Sequence, residues 1–311
     1  MIVPSTQMVN PLVSVLMTAY NREQYVREAI ESVLSSTYRD FELIVADDCS
    51  TDTTVDIVRQ YARSDDRITL IVSETNLGDY PNRNRAASHA KGEYLKYVDS
   101  DDVIYPHALE VMIRCMNTFP AAGLGLSALP DLASPCPLSL TPREAYIEHF
   151  FQRDLFGRAP GSAIVRRSAF EQSGGFSGRR QVGDHELWLK IARVFDVVKI
   201  PTDLVWDRSH PDQEKHFDNA AAKLVMHEEV LLAALGAPDC PLTEKERDAA
   251  AARLSRNQAR NYWRLLMSGG ERAVAGEYRR AAGVPAASIG GFALGRILRG
   301  ASPFSPPNPR S

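Results

Sequence analysis

Cysteine is scarce and unpaired here. Cys49, Cys115, Cys136 and Cys240 are scattered through 311 residues with no Cys-x-x-Cys among them, which supports neither a zinc cluster nor a disulfide framework. Long apolar runs are lacking too. The longest candidate, Ala281 to Leu294, contains Pro285 and several glycines and stops at Arg296, so nothing predicts a bilayer-spanning helix. The start, Met1 to Pro11, has neither the basic region nor the apolar run of a secretion signal, and the expected compartment is the cytoplasm. Glycine is missing from the turn after the first apolar run, which reads Thr18-Ala19-Tyr20-Asn21-Arg22-Glu23. A sugar nucleotidyltransferase would usually carry a Gly-rich basic loop there.

What is present begins with an uneven charge. The net charge is −3, yet residues 251–311 hold ten Arg against two Glu, a net of +8 that leaves −11 for residues 1–250. An acidic N-terminal three quarters opposes nucleic-acid binding. The basic end is helical in texture to about Ala282 and turns rich in Gly, Pro and Ser from Gly283 to Ser311. Phe292, Leu294, Ile297 and Leu298 beside Arg296 and Arg299 would allow peripheral contact with an anionic membrane. A helical appendage with a frayed terminus is the plainer reading.

From Val13 the chain alternates between strand and helix four times. Val13 to Met17 reads as a buried strand. Asn21 with Gln24 has capping-box spacing, ahead of Val26, Ile30, Val33 and Leu34 at helical intervals. Phe41 to Ala46, Ile68 to Val72 and Tyr94 to Val98 read as further strands. Between them run a helix with Val55, Val58 and Tyr61 on one face and a helix with Pro81 in its first turn and Gly92 at its close. The pattern predicts an α/β fold with right-handed crossovers and a mainly parallel sheet.

The fourth strand runs into Asp99-Ser100-Asp101-Asp102. Parallel sheets bind ligands at the carboxyl edge of their strands. Alternating carboxylates there repel one another unless a cation joins them, and hard oxygen ligands suit Mg²⁺ or Mn²⁺.

Val13-Ser14-Val15-Leu16-Met17-Thr18-Ala19-Tyr20-Asn21, Asp47-Asp48-Cys49-Ser50-Thr51-Asp52, Asn76-Leu77-Gly78, Arg83-Asn84, Gly92-Glu93-Tyr94 and Asp99-Ser100-Asp101-Asp102 follow in order. Gly174-Gly175-Phe176 and Asp184-His185-Glu186-Leu187-Trp188-Leu189 come later. Together they resemble the family 2 glycosyltransferases with the GT-A fold. The resemblance implies transfer of a sugar from a nucleotide-diphosphate donor to an acceptor hydroxyl, with inversion and usually with a divalent metal. It implies a tail over 1–10, a GT-A domain over 11–215 and a helical C-terminal extension over 216–311 with a flexible basic tail. Within the domain, 11–115 would bind nucleotide and 116–215 the acceptor.

Residue by residue, the resemblance places Ala19, Tyr20 and Asn21 along the nucleotide. Tyr20 either covers base or ribose or staples the first helix. Asp48 would accept the imide N–H of uracil or thymine, favouring UDP or dTDP, because cytosine lacks that donor. Asp52 is read as a helix cap, while Asp47 is open between these roles and plain solvation. Arg83 would face the nucleotide, with Arg85 a solvent-facing neighbour. Asp99, with Ser100 beside it, would hold the ribose, and Asp101 the metal, with Asp102 and His210 as further ligands. Asp184 aligns with the family's catalytic base, Glu186 is the alternative and His185 a third. The family often has Glu before this Asp, where this chain has Gly183. Gly161-Ser162-Ala163 and Gly174-Gly175-Phe176 would form the acceptor-side strand and turn, and Pro130 to Pro142 a loop. The acceptor would be a carbohydrate or a lipid-linked sugar, in polysaccharide, glycolipid or other glycoconjugate synthesis. A non-catalytic nucleotide-sugar-binding module would be expected to lose Asp101 or Asp184, and both are here.

Overall fold

In the computed structural model, four short apolar runs form parallel strands: β1 (Val13–Ala19), β2 (Phe41–Asp47), β3 (Ile68–Val72) and β4 (Tyr94–Tyr97). Crossovers run through α1 (Val26–Leu34), α2 (Thr54–Ser64) and α3 (Asp79–Ser88). The structure describes residues 13–127, 135–210, 220–267 and 272–291, and the chain divides into two compact units, Met1–His210 and Pro211–Ser311.

The first unit continues through β5 (Val103–Ile104), α4 (Ala108–Thr118), β6 (Ala122–Ser127), β7 (Leu138–Leu140), α5 (Pro142–Ile147) and β8 (Ala163–Arg166). It ends with α6 (Arg167–Gln172), α7 (Gly183–Ala192), β9 (Asp196–Ile200) and β10 (Val205–Trp206). Eight strands make one sheet in the order β3-β2-β1-β4-β8-β6-β9-β7, while β10 pairs with β5. β8 is antiparallel to both β4 and β6, so the parallel half of the sheet is closed by a mixed half. β1 is central, with Val13 opposite Phe41 on one side and Tyr94 on the other.

Covering helices explain the near-continuous apolar strands, as expected for a sheet buried on both faces. Val15 and Met17 of β1 and Leu43 and Val45 of β2 pack in one cluster with Val26, Ile30 and Val33 of α1 and Leu109 and Met112 of α4. Leu16 and Ile44, which alternate with them, are equally buried. The strand ends are thereby fixed, and the loops after β1, β2 and β4 share one edge.

Three local expectations are corrected. α1 starts at Val26 without a side-chain cap. Asn21 instead adopts φ 51°, and its Oδ1 accepts the Thr51 amide at 2.9 Å. Gly92 does not close α3, which ends at Ser88 with His89 as C-cap; the Gly92 amide donates to Ser14 Oγ at 2.8 Å. Within Pro130 to Pro142, Leu138–Leu140 is a strand paired with β9. Thr141 and Glu144 then form a reciprocal capping box at the start of α5, and residues 130–134 lie outside the described residues.

The second unit contains α8 (Ala220–Gly236), α9 (Glu244–Met267) and α10 (Arg272–Ala281). Ala221, Val225, Tyr278 and Val284 form its apolar cluster. Buried Glu228 accepts Gln258 Nε2 at 3.1 Å, Asn261 Nδ2 at 3.2 Å and the Tyr278 hydroxyl. No described helix is long and apolar enough to cross a membrane. The tail residues Phe292 to Arg299 lie outside the described residues.

Close packing of the mixed half gives a stability test. A Cβ at Gly123 on β6 would stand 2.6 Å from Phe195 Cβ and 2.9 Å from Ala169 Cβ. Gly123→Ala should therefore cost about 1–3 kcal/mol by overpacking. Urea unfolding of variant and wild type would read this directly, and an unchanged midpoint would contradict the packing described.

Candidate active site

The edge is built by loops that hold one another. Asp47 at the end of β2 is fully buried and accepts both the amide of Ser50, at 2.9 Å, and its hydroxyl, at 2.5 Å. Ser50 in turn accepts the Asn21 amide at 2.9 Å. Asp52 accepts the Thr54 amide at 2.9 Å, which restrains the start of α2. Asp48 accepts the Leu77 and Gly78 amides, one on each oxygen, at 2.8 and 2.9 Å. Gly78 has φ 87°, a left-handed region that favours glycine. Asp48 thus fixes the Asn76-Leu77-Gly78 turn, with a second lone pair remaining on each oxygen. Ala19 is buried, and Tyr20 is 45% exposed over the same edge.

The turn after β4 gathers opposite charge. Arg83 on α3 is buried, with Nε 2.7 Å from Asp79 and Nη1 2.8 Å from Asp99. Burial alone would lower the Arg83 pKa, but Asp79 and Asp99 outweigh it and raise it further. Asp101 Oδ2 receives Arg22 Nε at 3.0 Å and lies 2.9 Å from His210 Nε2. His210 stacks on Tyr25, with ring centroids 4.7 Å apart. Asp102 Oδ1 accepts the Arg208 amide at 3.0 Å, and Arg208 Nε donates to the Asp101 carbonyl at 2.8 Å. Ser100 is buried within the turn.

Beneath the acids lies Lys96, fully buried on β4, its Nζ donating to the Gly161 carbonyl. Burial pulls its pKa down to about 7 against the attraction of Asp99 and Asp102. Asp102 moves the other way, up to about 7, through burial and the charges of Asp99, Asp101 and Asp207. Burial is the larger part of the Asp102 shift, and the neighbouring carboxylates Asp99 and Asp101 add to it. Three carboxylates are hard oxygen donors that suit Mn²⁺ or Mg²⁺, with the His210 imidazole a softer nitrogen donor beside them. The residues fit a divalent cation, which Asp101 and His210 would hold with Asp99 and Asp102 beside them.

Asp184 lies in the first turn of α7. Its Oδ1 accepts the His185 amide at 2.7 Å. Burial raises its pKa; the His185 amide, the Tyr80 phenol and Arg83 act against this, and Asp79 adds to it. Tyr80 stacks on Phe176 at 5.0 Å between centroids. A Cβ at Gly183 would lie 2.7–3.0 Å from the Tyr80 ring, so that ring fills the space in front of residue 183. Gly183 stands where the family resemblance leads one to expect an acid. Glu186 is differently employed, accepting Ser177 Oγ at 2.5 Å and pairing with Lys190 at 2.8 Å. Burial raises its pKa, but Lys190 and Ser177 outweigh that and lower it.

Arg83, Asp99, Ser100, Asp101, Asp102 and His210 therefore meet at one edge. The Asn21 side chain is spent on the β2 loop. Arg85 binds the end of β3, donating to the Val72 carbonyl at 2.8 Å and to Ser73 Oγ. Asn84 clasps Phe176, donating to its carbonyl at 2.8 Å and accepting its amide at 2.9 Å. Sequence reasoning missed Lys96, Arg22 and Tyr80. Only Lys96 left a signal, as a lysine inside an apolar strand.

The family model for glycosyl transferase family 2 matches residues 14–174. This chain belongs to glycosyl transferase family 2. It is 45% identical over 198 residues to the putative glycosyltransferase EpsE of Bacillus subtilis (strain 168), covering 58% of this chain and 66% of that one. Across the curated relatives it matches, the chain spans about half their length. Among solved structures, S. aureus TarS 1–349 in complex with UDP-GlcNAc superposes with TM-score 0.68 at 18% identity, covering 93% of this chain and 92% of that one. The mannosyltransferase PcManGT from Pyrobaculum calidifontis, in complex with GDP-Man and Mn²⁺, gives 0.59 at 21% identity, covering 96% and 83%. These likenesses establish the GT-A fold for the family 2 chain.

The shifted Asp102 predicts how Mn²⁺ binding depends on pH. With its pKa pushed up to about 7, Asp102 holds a proton below that pH, which a cation bound there would have to displace. Above it the carboxylate is free. Mn²⁺ affinity measured by calorimetry should rise between pH 6 and 8 and then level, and Asp102→Asn should shrink the rise. Affinity independent of pH across that range would contradict the assignment.

Proposed function

We propose that this family 2 chain transfers a sugar from a nucleoside diphosphate donor, UDP or dTDP, to an acceptor hydroxyl with inversion. The observation that carries the reading is the double engagement of α3. Arg83 pairs with Asp99 at 2.8 Å, on the side of the acidic turn, while Tyr80 three residues earlier interacts with Asp184. One helix thus joins the carboxylates suited to a metal diphosphate and a carboxylate suited to act as base.

In this reading Tyr20 lies over base or ribose, Asp48 accepts the imide N–H on a remaining lone pair, and Asp99 with Ser100 meets the ribose. Asp101 and His210 hold Mn²⁺ or Mg²⁺, with Asp102 alongside. The bound cation supplies the positive charge that stabilises a departing nucleoside diphosphate. Arg83 pairs with Asp99 and orients it, and Arg22 and Arg208 hold the turn from either side.

Asp184 takes the proton from the acceptor hydroxyl as that oxygen attacks. A base must be ionised yet basic enough to accept. Burial raises Asp184 toward that condition, whereas Glu186 is kept acidic by Lys190 and Ser177. The acceptor fits a carbohydrate or a lipid-linked sugar, in the synthesis of a polysaccharide, glycolipid or other glycoconjugate.

The test is a transfer assay with UDP- and dTDP-sugars and Mn²⁺. Asp184→Asn should retain donor binding and lose on the order of 10²–10⁴ in transfer rate, with Glu186→Gln much less affected. The reverse ranking would move the base to Glu186, and full rates for both would remove general base catalysis from the account. Base reading is checked separately: UDP and dTDP should outcompete CDP, and Asp48→Ala should narrow the gap, a charged hydrogen bond being worth about 1.5–3 kcal/mol. Equal affinity for all three nucleotides would contradict the role of Asp48.

A further inference from the structure

A second cluster stands away from the acidic turn. His149 lies in a π-helical turn, Glu148–Gln152, directly after α5. His185 is in the first turn of α7, and Asp154 is in the loop between them. The Nε2 atoms of His149 and His185 face each other at 3.3 Å, with the ring planes 80° apart and the centroids at 5.2 Å. Both imidazoles are only 5% exposed, and Phe150 and Phe156 pack on His149. Asp154 Oδ1 stands 3.2 Å from His149 Nδ1 and accepts the Gly157 amide at 2.8 Å. One ligand atom from each of the three residues lies within 4.8 Å of the other two.

Two nitrogens on one tetrahedral ion, each at about 2.0–2.1 Å, lie about 3.3–3.4 Å apart. The two Nε2 atoms have that separation. A carboxylate on the far nitrogen of a metal-bound imidazole fixes the tautomer that leaves the near nitrogen free to coordinate, and Asp154 occupies that place on His149. A metal-free pair competes with this arrangement. The Leu155 and Phe156 amides point at His149 Nδ1 from 3.3 and 3.4 Å. If Nδ1 accepts them, Nε2 carries the proton and donates to His185. The Asp154 contact is the shorter of the three and brings full charge, which favours a proton on Nδ1. π-helical turns also recur at functional sites.

We propose that His149 and His185 coordinate a zinc ion, with Asp154 as third ligand or as the carboxylate orienting His149. Such a site is separate in its residues from Asp101 and His210, and it does not depend on the transfer reaction. Its consequence would be mechanical. The ion would tie the π-helical turn and the 153–157 loop to α7 at the residue after Asp184, whose carboxylate accepts the His185 amide.

Zinc itself is the probe. The full chain, stripped by chelator, is dialysed against Zn²⁺ and its bound metal counted by elemental analysis, in a background carrying Asp101→Ala and His210→Ala. That background should keep about one Zn²⁺ per chain and, loaded with Co²⁺, should show the strong visible absorption of a four-coordinate site. Adding His149→Gln should remove both signals, and Asp154→Asn should weaken affinity by about 10–100-fold. Because stoichiometry and Co²⁺ spectrum are read on the background protein, a His149 variant that fails to fold leaves the result standing. No retained Zn²⁺ in the background, or equal Zn²⁺ with a folded His149→Gln, overturns the site and identifies the pair as a plain imidazole hydrogen bond. Neither result bears on the transfer reading, which the Asp184 and Asp48 variants test.

Discussion

Asp99, Asp101 and Asp102 stand within four residues and mostly out of water, and the edge of the sheet is organised around keeping them there. Like charges so close are costly unless each meets a partner. The partners come from separate stretches of chain: Arg22 after β1, Arg83 from α3, Lys96 from β4 itself, and Arg208 and His210 after β10. Holding the acids thereby holds the loops. Asp102 is pushed up to about 7, first by its burial and then by the charges of Asp99, Asp101 and Asp207.

α3 carries that order across to the first turn of α7. Arg83 and Tyr80 lie one turn apart on it, the first on Asp99 and the second against Asp184 and Gly183. Asn84 adds a third tie by gripping Phe176, on which Tyr80 stacks. Gly183 follows from this arrangement, since any side chain there would collide with the Tyr80 ring. The acidic turn and the start of α7 are thus coupled by short contacts from a single helix.

The strand–helix alternation was legible because parallel strands buried on both faces leave continuous apolar runs, and Val13, Phe41, Ile68 and Tyr94 each open one. The acidic turn was legible because its residues are adjacent in sequence. Most of what surrounds it was not. Asp48 finds its amides 29 and 30 residues away at Leu77 and Gly78, and His210 reaches Asp101 across 109. Asn21 misled for a related reason: it has the chemistry of a cap, but Thr51, brought close by the fold, takes its side chain. Tyr80 and His149 carry no local mark, and their partners, Asp184 and His185, become neighbours only after folding.

The central claim is that the carboxylates after β4 receive a nucleoside diphosphate through a divalent cation. Calorimetric titration of UDP into the wild-type chain, with Mn²⁺ and with chelator, tests it most directly, alongside Asp101→Ala under the same conditions. The account predicts binding that strengthens with Mn²⁺ in the wild type and loses that gain in the variant. UDP binding of equal strength with Mn²⁺, with chelator and in Asp101→Ala would contradict it.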